Sequence, residues 1–343
     1  VPSSTECGST RFSVRSEVTM IPDALADERA AAARVLQEAD EIAVSCHIKP
    51  DGDALGSAVG FARAAAAAGK LVTLSFGEPF ELPDYFSLLS LDQLVRPEDF
   101  PAAPEVMVTF DAADRSRLGS LAEASTAAGT LIVVDHHVTN DGFGDINLID
   151  GTASASALLA FDLIRALDWP IDPEGALGLL MGIVTDTGRF QYSNTDARTF
   201  RVAAELVEAG AHPERIGQMV YENAPFGFLA VAAAVQNRTV LEADISLVWS
   251  ELRGSDLAAA GIEAVEAEGL IDHIRVAREA DVAILLTETA EGTKASLRSR
   301  ATVDVGALAA TFGGGGHARA AGFTSDGPAA VVIERVREYL RDR

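Results

Sequence analysis

Four short clusters hold the side chains best able to do chemistry. The first is His47-Ile48-Lys49-Pro50-Asp51-Gly52-Asp53-Ala54-Leu55-Gly56-Ser57, with three imidazole or carboxylate groups in its first seven residues, on a turn shaped by Pro50 and Gly52. Asp111 follows the apolar run Val106 to Phe110, and Asp135-His136-His137 follows the run Leu131 to Val134. The fourth is Asp186, within Thr185-Asp186-Thr187-Gly188-Arg189-Phe190. Taken singly, most have a structural explanation. An Asp at the head of the next helix is a common N-cap, and Asp111 or Asp186 reads as a turn residue. Two adjacent histidines behind a buried strand are harder to explain, because burying both without partners is costly.

Together the clusters describe a metal site. A mixed carboxylate and imidazole set without cysteine suits manganese, iron or cobalt better than structural zinc, and is too rich in imidazole for calcium. So many candidate donors exceed the needs of one ion but suit two ions sharing a bridging carboxylate. Such a pair activates water and stabilises charge on a phosphoryl oxygen.

A second constellation lies near the C-terminus. The run Gly313-Gly314-Gly315-Gly316 precedes His317 and Arg319, and Arg298 and Arg300 lie upstream. Consecutive glycines let the backbone approach a phosphate and offer it N–H groups. No Lys-Ser/Thr follows, so this is not a Walker loop. A flexible linker would explain the glycines alone; the neighbouring cations favour an anion site. His212 and His273 read as surface residues.

The elements that must position these groups alternate in type. Helical spacing covers Ala24 to Ala39, and strands are predicted at Ile42 to Cys46, Leu71 to Phe76, Val106 to Phe110 and Leu131 to Val134. Helices are expected over Ala54 to Ala68, Ala153 to Leu167, Pro173 to Val184 and Ala197 to Ala209, with Gly69 as a C-terminal cap. The pattern implies a doubly wound α/β domain on a mainly parallel sheet, with ligands gathered at the strands' carboxyl ends. A second, smaller α/β domain follows. It has strands within Thr239 to Glu251, a helix over Ala264 to Arg275, strands at Asp281 to Glu288 and Lys294 to Arg300, and a last helix from Pro328 to Arg341. The expected division is a disordered extension over 1–22, a catalytic domain over 23–210, a linker over 211–235 and a substrate domain over 236–343.

Composition sets limits. With 27 basic and 51 acidic residues, the net charge is −24, which repels long duplex nucleic acid but not a small phosphate ester held by cations. The segment Val1 to Thr19 is polar, without the apolar core of a signal peptide, and no run is long enough for a membrane span. Two cysteines build neither a disulfide framework nor a thiolate site, so a reducing cytoplasm is expected.

In these motifs the sequence resembles the DHH phosphoesterase family, named for the triplet that here is Asp135-His136-His137. The likeness extends from about Ala30 to Phe323. It includes Ser296-Leu297-Arg298-Ser299-Arg300 and the run from Gly313 to Gly322, which look like the DHH-associated domain. The pattern Thr185 to Phe190, with Tyr192-Ser193-Asn194-Thr195, is similar to the nano-RNase and 3′-phosphoadenosine 5′-phosphate phosphatase type, which has relatives that cleave cyclic dinucleotides.

The resemblance implies two Mn2+ ions, with Mg2+, Co2+ or Fe2+ as alternatives. One would be held by His47, Asp51 and Asp111, the other by Asp53, Asp111, His136 and Asp186, with Asp111 bridging. Asp135 would orient an imidazole, and His137 would face the scissile phosphate. Arg298, Arg300, Gly314, Gly315, Gly316, His317 and Arg319 would bind substrate. The implied substrates are short oligoribonucleotides, 3′-phosphoadenosine 5′-phosphate and cyclic di-AMP or its linear product, in a protein that can pair as a homodimer. Inorganic pyrophosphatase and a non-catalytic nucleotide sensor are the alternatives.

Overall fold

A computed structural model describes residues 24–267 and 269–342, without the side chain of His317; the extension expected over 1–22 lies outside the described residues. The described residues form two compact units that meet in sequence between Val220 and Tyr221. Among them, no helix is long and apolar enough to cross a membrane.

The first unit runs α1 (Ala26–Glu38), β1 (Glu41–Cys46), α2 (Gly52–Ala67), β2 (Leu71–Phe76), β3 (Val106–Phe110), α3 (Ala122–Ala127), β4 (Thr130–Asp135), β5 (Ile146–Ile149), α4 (Ser156–Ala166), α5 (Pro173–Asp186), α6 (Ala197–Glu208) and α7 (Pro213–Ile216). Its sheet has the order β2-β1-β3-β4-β5, and every pair is parallel. The central strands are mostly apolar because both faces are covered. Ile42, Val44, Val108, Phe110, Ile132 and Val134 pack into a core with α2, α4 and α5, while Ala43, Met107, Leu131 and Val133 meet Leu118, Leu121 and Ala124 on the other face. Phe61 and Phe110 pack with ring centroids 5.3 Å apart, each contributing about 1.5–3 kcal/mol by full burial. The strand β5 escapes the sequence pattern because four residues are too few to show a period.

Helices α2 and α5 touch backbone to backbone. A Cβ on Gly56 would lie 2.3 Å from the carbonyl oxygen of Gly178, and one on Gly182 would lie 2.7 Å from Oδ1 of Asp53. Arg63 of α2 reinforces this contact through Asp172, the N-cap of α5, at 2.6 Å.

The segment 211–235, read from the sequence as a linker, is helical for most of its length. It holds α7, a π-helical turn at Gly217–Tyr221 and the start of α8 (Phe226–Asn237). The second unit continues with β6 (Val240–Glu242), β7 (Leu247–Leu252), α9 (Gly254–Ala260), β8 (Val282–Thr289), β9 (Gly292–Ser299), α10 (Val305–Ala310), β10 (Gly315–His317), β11 (Ala320–Ser325) and α11 (Ala329–Arg341). The sheet order is β10-β11-β9-β8-β7-β6, parallel only between β7 and β8.

Two expectations need correction here. The helix predicted over Ala264 to Arg275 is instead a pair of 3-10 turns, Ala264–Ala267 and Leu270–His273. Gly269 between them has φ 86°, which breaks an i to i−4 ladder, and Leu270, Ile271 and Ile274 pack with Ala283 and Leu285. Nor is the glycine run simply a loop. Gly315 and Gly316 are paired in β10 with Gly322 and Ala321 of β11, and a Cβ on Gly314 would lie 2.2 Å from the carbonyl oxygen of Gly322.

Candidate metal centre

Three parallel strands end side by side at one edge of the first sheet, and each delivers a donor there. His47 follows β1, and the chain turns through Lys49 at φ 50° into α2. Asp51 caps that helix: its Oδ1 accepts from the N–H groups of Asp53 and Ala54, both at 3.0 Å. Its Oδ2 is left 3.8 Å from Nε2 of His47. The N-cap and donor readings of Asp51 thus fall on different oxygens. Asp53 sits in the first turn of α2, fully buried. Asp111 follows β3 with φ 57°, a left-handed conformation that Asp tolerates better than most residues, at a cost on the order of 1 kcal/mol. Asp186 is the last residue of α5.

Asp111 lies at the centre. Its Oδ2 is 3.5 Å from Nε2 of His47, and its Oδ1 is 3.5 Å from Nε2 of His136. The same His136 nitrogen lies 3.5 Å from Asp186 and 3.9 Å from Asp53. These separations exceed those of hydrogen bonds. They approximate the spacing of two donors on one ion, about 3–3.5 Å for bonds of about 2.1 Å. Donor atoms fall within 4.8 Å of one another in three groups: His47, Asp51 and Asp111; Asp53, His136 and Asp186; and Asp111, His136 and His137.

The imidazoles are set in the tautomer a cation needs. Nδ1 of His47 is 2.8 Å from the carbonyl of Ile48, and Nδ1 of His136 is 3.2 Å from the carbonyl of Ala153. A carbonyl only accepts, so each Nδ1 carries the proton and the neutral ring presents its lone pair at Nε2. The residues therefore fit a pair of divalent cations.

His137 is arranged differently. Its Nδ1–H donates to Oδ1 of Asp135 at 2.7 Å, and its side chain is 25% exposed. Asp135 is buried and also accepts from the N–H of His136 at 2.9 Å and from Nδ2 of Asn140 at 2.7 Å. These three donors fix the orientation of the carboxylate.

Charge balance explains the titration behaviour. Burial disfavours a charged His47, but the nearby carboxylates of Asp111 and Asp51 outweigh it and raise the pKa to about 10. Burial likewise opposes charge on His136, yet Asp186, Asp53 and Asp111 raise it to about 9. Burial, then the charge of Asp111, pushes Asp53 up to about 7, and burial lifts Asp186 well above the usual carboxylate range. Burial acts the same way on Asp111, but the nearby His47 and the charges of His136 and His137 hold it below that range. So many carboxylates in one volume demand positive charge, which protons supply and divalent ions would supply better.

The sequence reading missed three residues here. Ser57 donates to Oδ1 of Asp53 at 3.1 Å, Ser156 donates to Asp111, and Asn140 holds Asp135. The Ser-rich start of α4 is an N-terminal helix signal, but nothing in it marks a partner 45 residues away.

In the second unit, backbone register sets His317, Ala320 and Arg298 in one row across β10, β11 and β9. Among the described residues, Nε of Arg298 is buried with no hydrogen-bond partner, and its Nη1 donates to the carbonyl of Leu297. Arg319 donates to Oγ of Ser299 at 3.1 Å, and Arg300 donates to the carbonyl of Ala277 at 2.9 Å. The loop after β9 is tied down by Asp281, whose carboxylate accepts from the N–H groups of Arg300, Ala301, Thr302 and Val303 at 2.6–3.1 Å.

Comparison with known proteins agrees with this architecture. Residues 41–183 match the DHH family, N-terminal domain, and residues 245–342 match the DHHA1 domain. The chain is 32% identical over 308 residues to the bifunctional oligoribonuclease and PAP phosphatase NrnA of Thermus thermophilus, covering 88% of this chain and 89% of that protein. It is 26% identical over 293 residues to the Bacillus subtilis protein of the same name, covering 84% and 90%. Its fold resembles that of an exopolyphosphatase-related protein from Bacteroides fragilis, with a TM-score of 0.86 at 23% identity over 92% of this chain and 96% of that one. The chain belongs to the DHH family, its N-terminal DHH domain followed by a DHHA1 domain.

Proposed function

We propose that this protein is a two-metal phosphoesterase that hydrolyses short oligoribonucleotides and 3′-phosphoadenosine 5′-phosphate to mononucleotides, with manganese as its preferred ion. The observation that carries the reading is the central carboxylate of Asp111, which presents one oxygen toward His47 and the other toward His136. His47, Asp51 and Asp111 would hold one cation, and Asp53, Asp111, His136 and Asp186 the other. When bound, the two ions lower the pKa of water and neutralise charge on phosphoryl oxygens.

The remaining groups act on the substrate. Water attacks phosphorus, the ester P–O bond breaks, and the leaving oxygen takes a proton. His137, held by Asp135 through Nδ1, keeps its Nε2 side for the leaving oxygen. Arg298, Arg300, His317 and Arg319, with the backbone of Gly314 to Gly316, would take part in binding the substrate's phosphates. The names of the Thermus and Bacillus relatives support both substrates. The net charge of −24 supports short substrates over long ones.

Product analysis tests the reading. With Mn2+ present, a dinucleotide, 3′-phosphoadenosine 5′-phosphate, cyclic di-AMP and pyrophosphate are offered separately. Mononucleotide or phosphate should appear from the first two and disappear with a chelator. Turnover of pyrophosphate alone would replace this reading with a pyrophosphatase.

A further inference from the structure

Ser156 opens α4 and is fully buried, and it joins two carboxylates that come from different elements. Its hydroxyl donates to Oδ1 of Asp111 at 2.9 Å, and its backbone N–H donates to Oδ2 of Asp53 at 2.6 Å. The N–H of Ala157 donates to the other oxygen of Asp53 at 3.0 Å. Carboxylate rotation about χ2 is broad and only weakly restrained by its own torsion. The Ser156 hydroxyl supplies the missing restraint at Asp111. With Oδ1 pinned on the His136 side, Oδ2 is left facing His47.

We propose that Ser156 is a positioning residue for the metal centre: its hydroxyl sets the plane of the Asp111 carboxylate so that one oxygen serves each cation. The inference rests on the two-metal reading and assigns a role to a residue outside the donor set. The backbone N–H bonds to Asp53 survive any substitution except proline, so the hydroxyl can be removed with the start of α4 intact.

The test is Mn2+ titration calorimetry on the metal-stripped full chain, paired with thermal melting in chelator. Ser156→Ala should weaken Mn2+ binding on the order of 10- to 100-fold, with little change in melting when metal is absent. Ser156→Thr, which keeps the hydroxyl, should restore most of that affinity. Ser125→Ala removes another buried hydroxyl of this unit, one bonded to the carbonyl of Ala122, and should leave Mn2+ binding unchanged. Wild-type affinity in Ser156→Ala would overturn the proposal while leaving the two-metal reading intact. A loss that Ser156→Thr does not restore would overturn the role of the hydroxyl. Absence of Mn2+ binding by the wild type would overturn both.

Discussion

The donor cluster of the first unit and Arg298 of the second are held in opposite ways. Around Asp53, Asp111 and Asp135, carboxylate oxygens accept from backbone N–H, hydroxyl, amide or imidazole groups, and burial is nearly complete. Among the described residues, Arg298 keeps a buried Nε with no partner, and its Nη1 donates to a carbonyl of the adjacent residue. The contrast fits two tasks. A cation pocket must exist before the cation arrives, because rearranging several anions costs more than one ion returns. A group that recognises a phosphate does better with its hydrogen-bonding capacity unspent.

The comparison can be broken in order of expected effect. The largest belongs to Asp111→Asn. Losing several kcal/mol of charge stabilisation corresponds to a fall in kcat of at least about 1000-fold. Melting in chelator should fall, since the charge of Asp111 is held in the fold by His47, His136 and His137 and its loss leaves them without their central counter-charge. Near-normal phosphate release would remove the bridging role. Next is Asn140→Ala, which frees one oxygen of Asp135 and should lower kcat about 10- to 100-fold. Because Asp135 holds His137, Mn2+ affinity should stay close to wild type; a matching loss of affinity would place His137 among the donors.

Smaller changes are expected in the second unit. Arg298→Ala should raise KM about 10-fold or more, the worth of one charge-assisted hydrogen bond, with kcat little altered. An unchanged KM would take Arg298 out of substrate binding. The smallest effect concerns Asp281. Burial would raise its pKa, but the N–H and hydroxyl donors at Thr302, Ala301 and Val303 outweigh it and bring it down to about 2. A depressed folded pKa adds stability that is complete above the unfolded value of about 3.9 and is lost as pH falls toward 2. Solvent near the carboxylate limits this to about 1 kcal/mol. Asp281→Asn should therefore melt earlier at pH 7 and nearly match the wild type at pH 2; an equal deficit at both would assign the effect to shape rather than charge.

What the sequence disclosed follows the same divide. His47, Asp111 and Asp135 each sit at the end of an apolar run, so strand pattern and chemistry pointed to one sheet edge together. Ser156 and Asn140 stayed hidden because their partners are set by tertiary packing, and a serine at a helix start looks like any other. The glycine run was legible as a place of close backbone approach, but the approaching backbone is partly that of β11, as Gly314 and Gly322 show. The helix expected at Ala264 to Arg275 failed because apolar spacing carried no warning of the left-handed turn at Gly269.

The bare contact between α2 and α5 has a consequence for tolerance to change. Asp53 rides on the first helix and Asp186 ends the second, and between them the helix backbones touch directly at Gly56 and Gly178. Backbone atoms have no rotamers to redistribute on warming, so the gauge between these two acids is set by parts that do not slip. Alanine at Gly56 would act as a shim, moving both carboxylates at once and spoiling the centre from a position that never touches it.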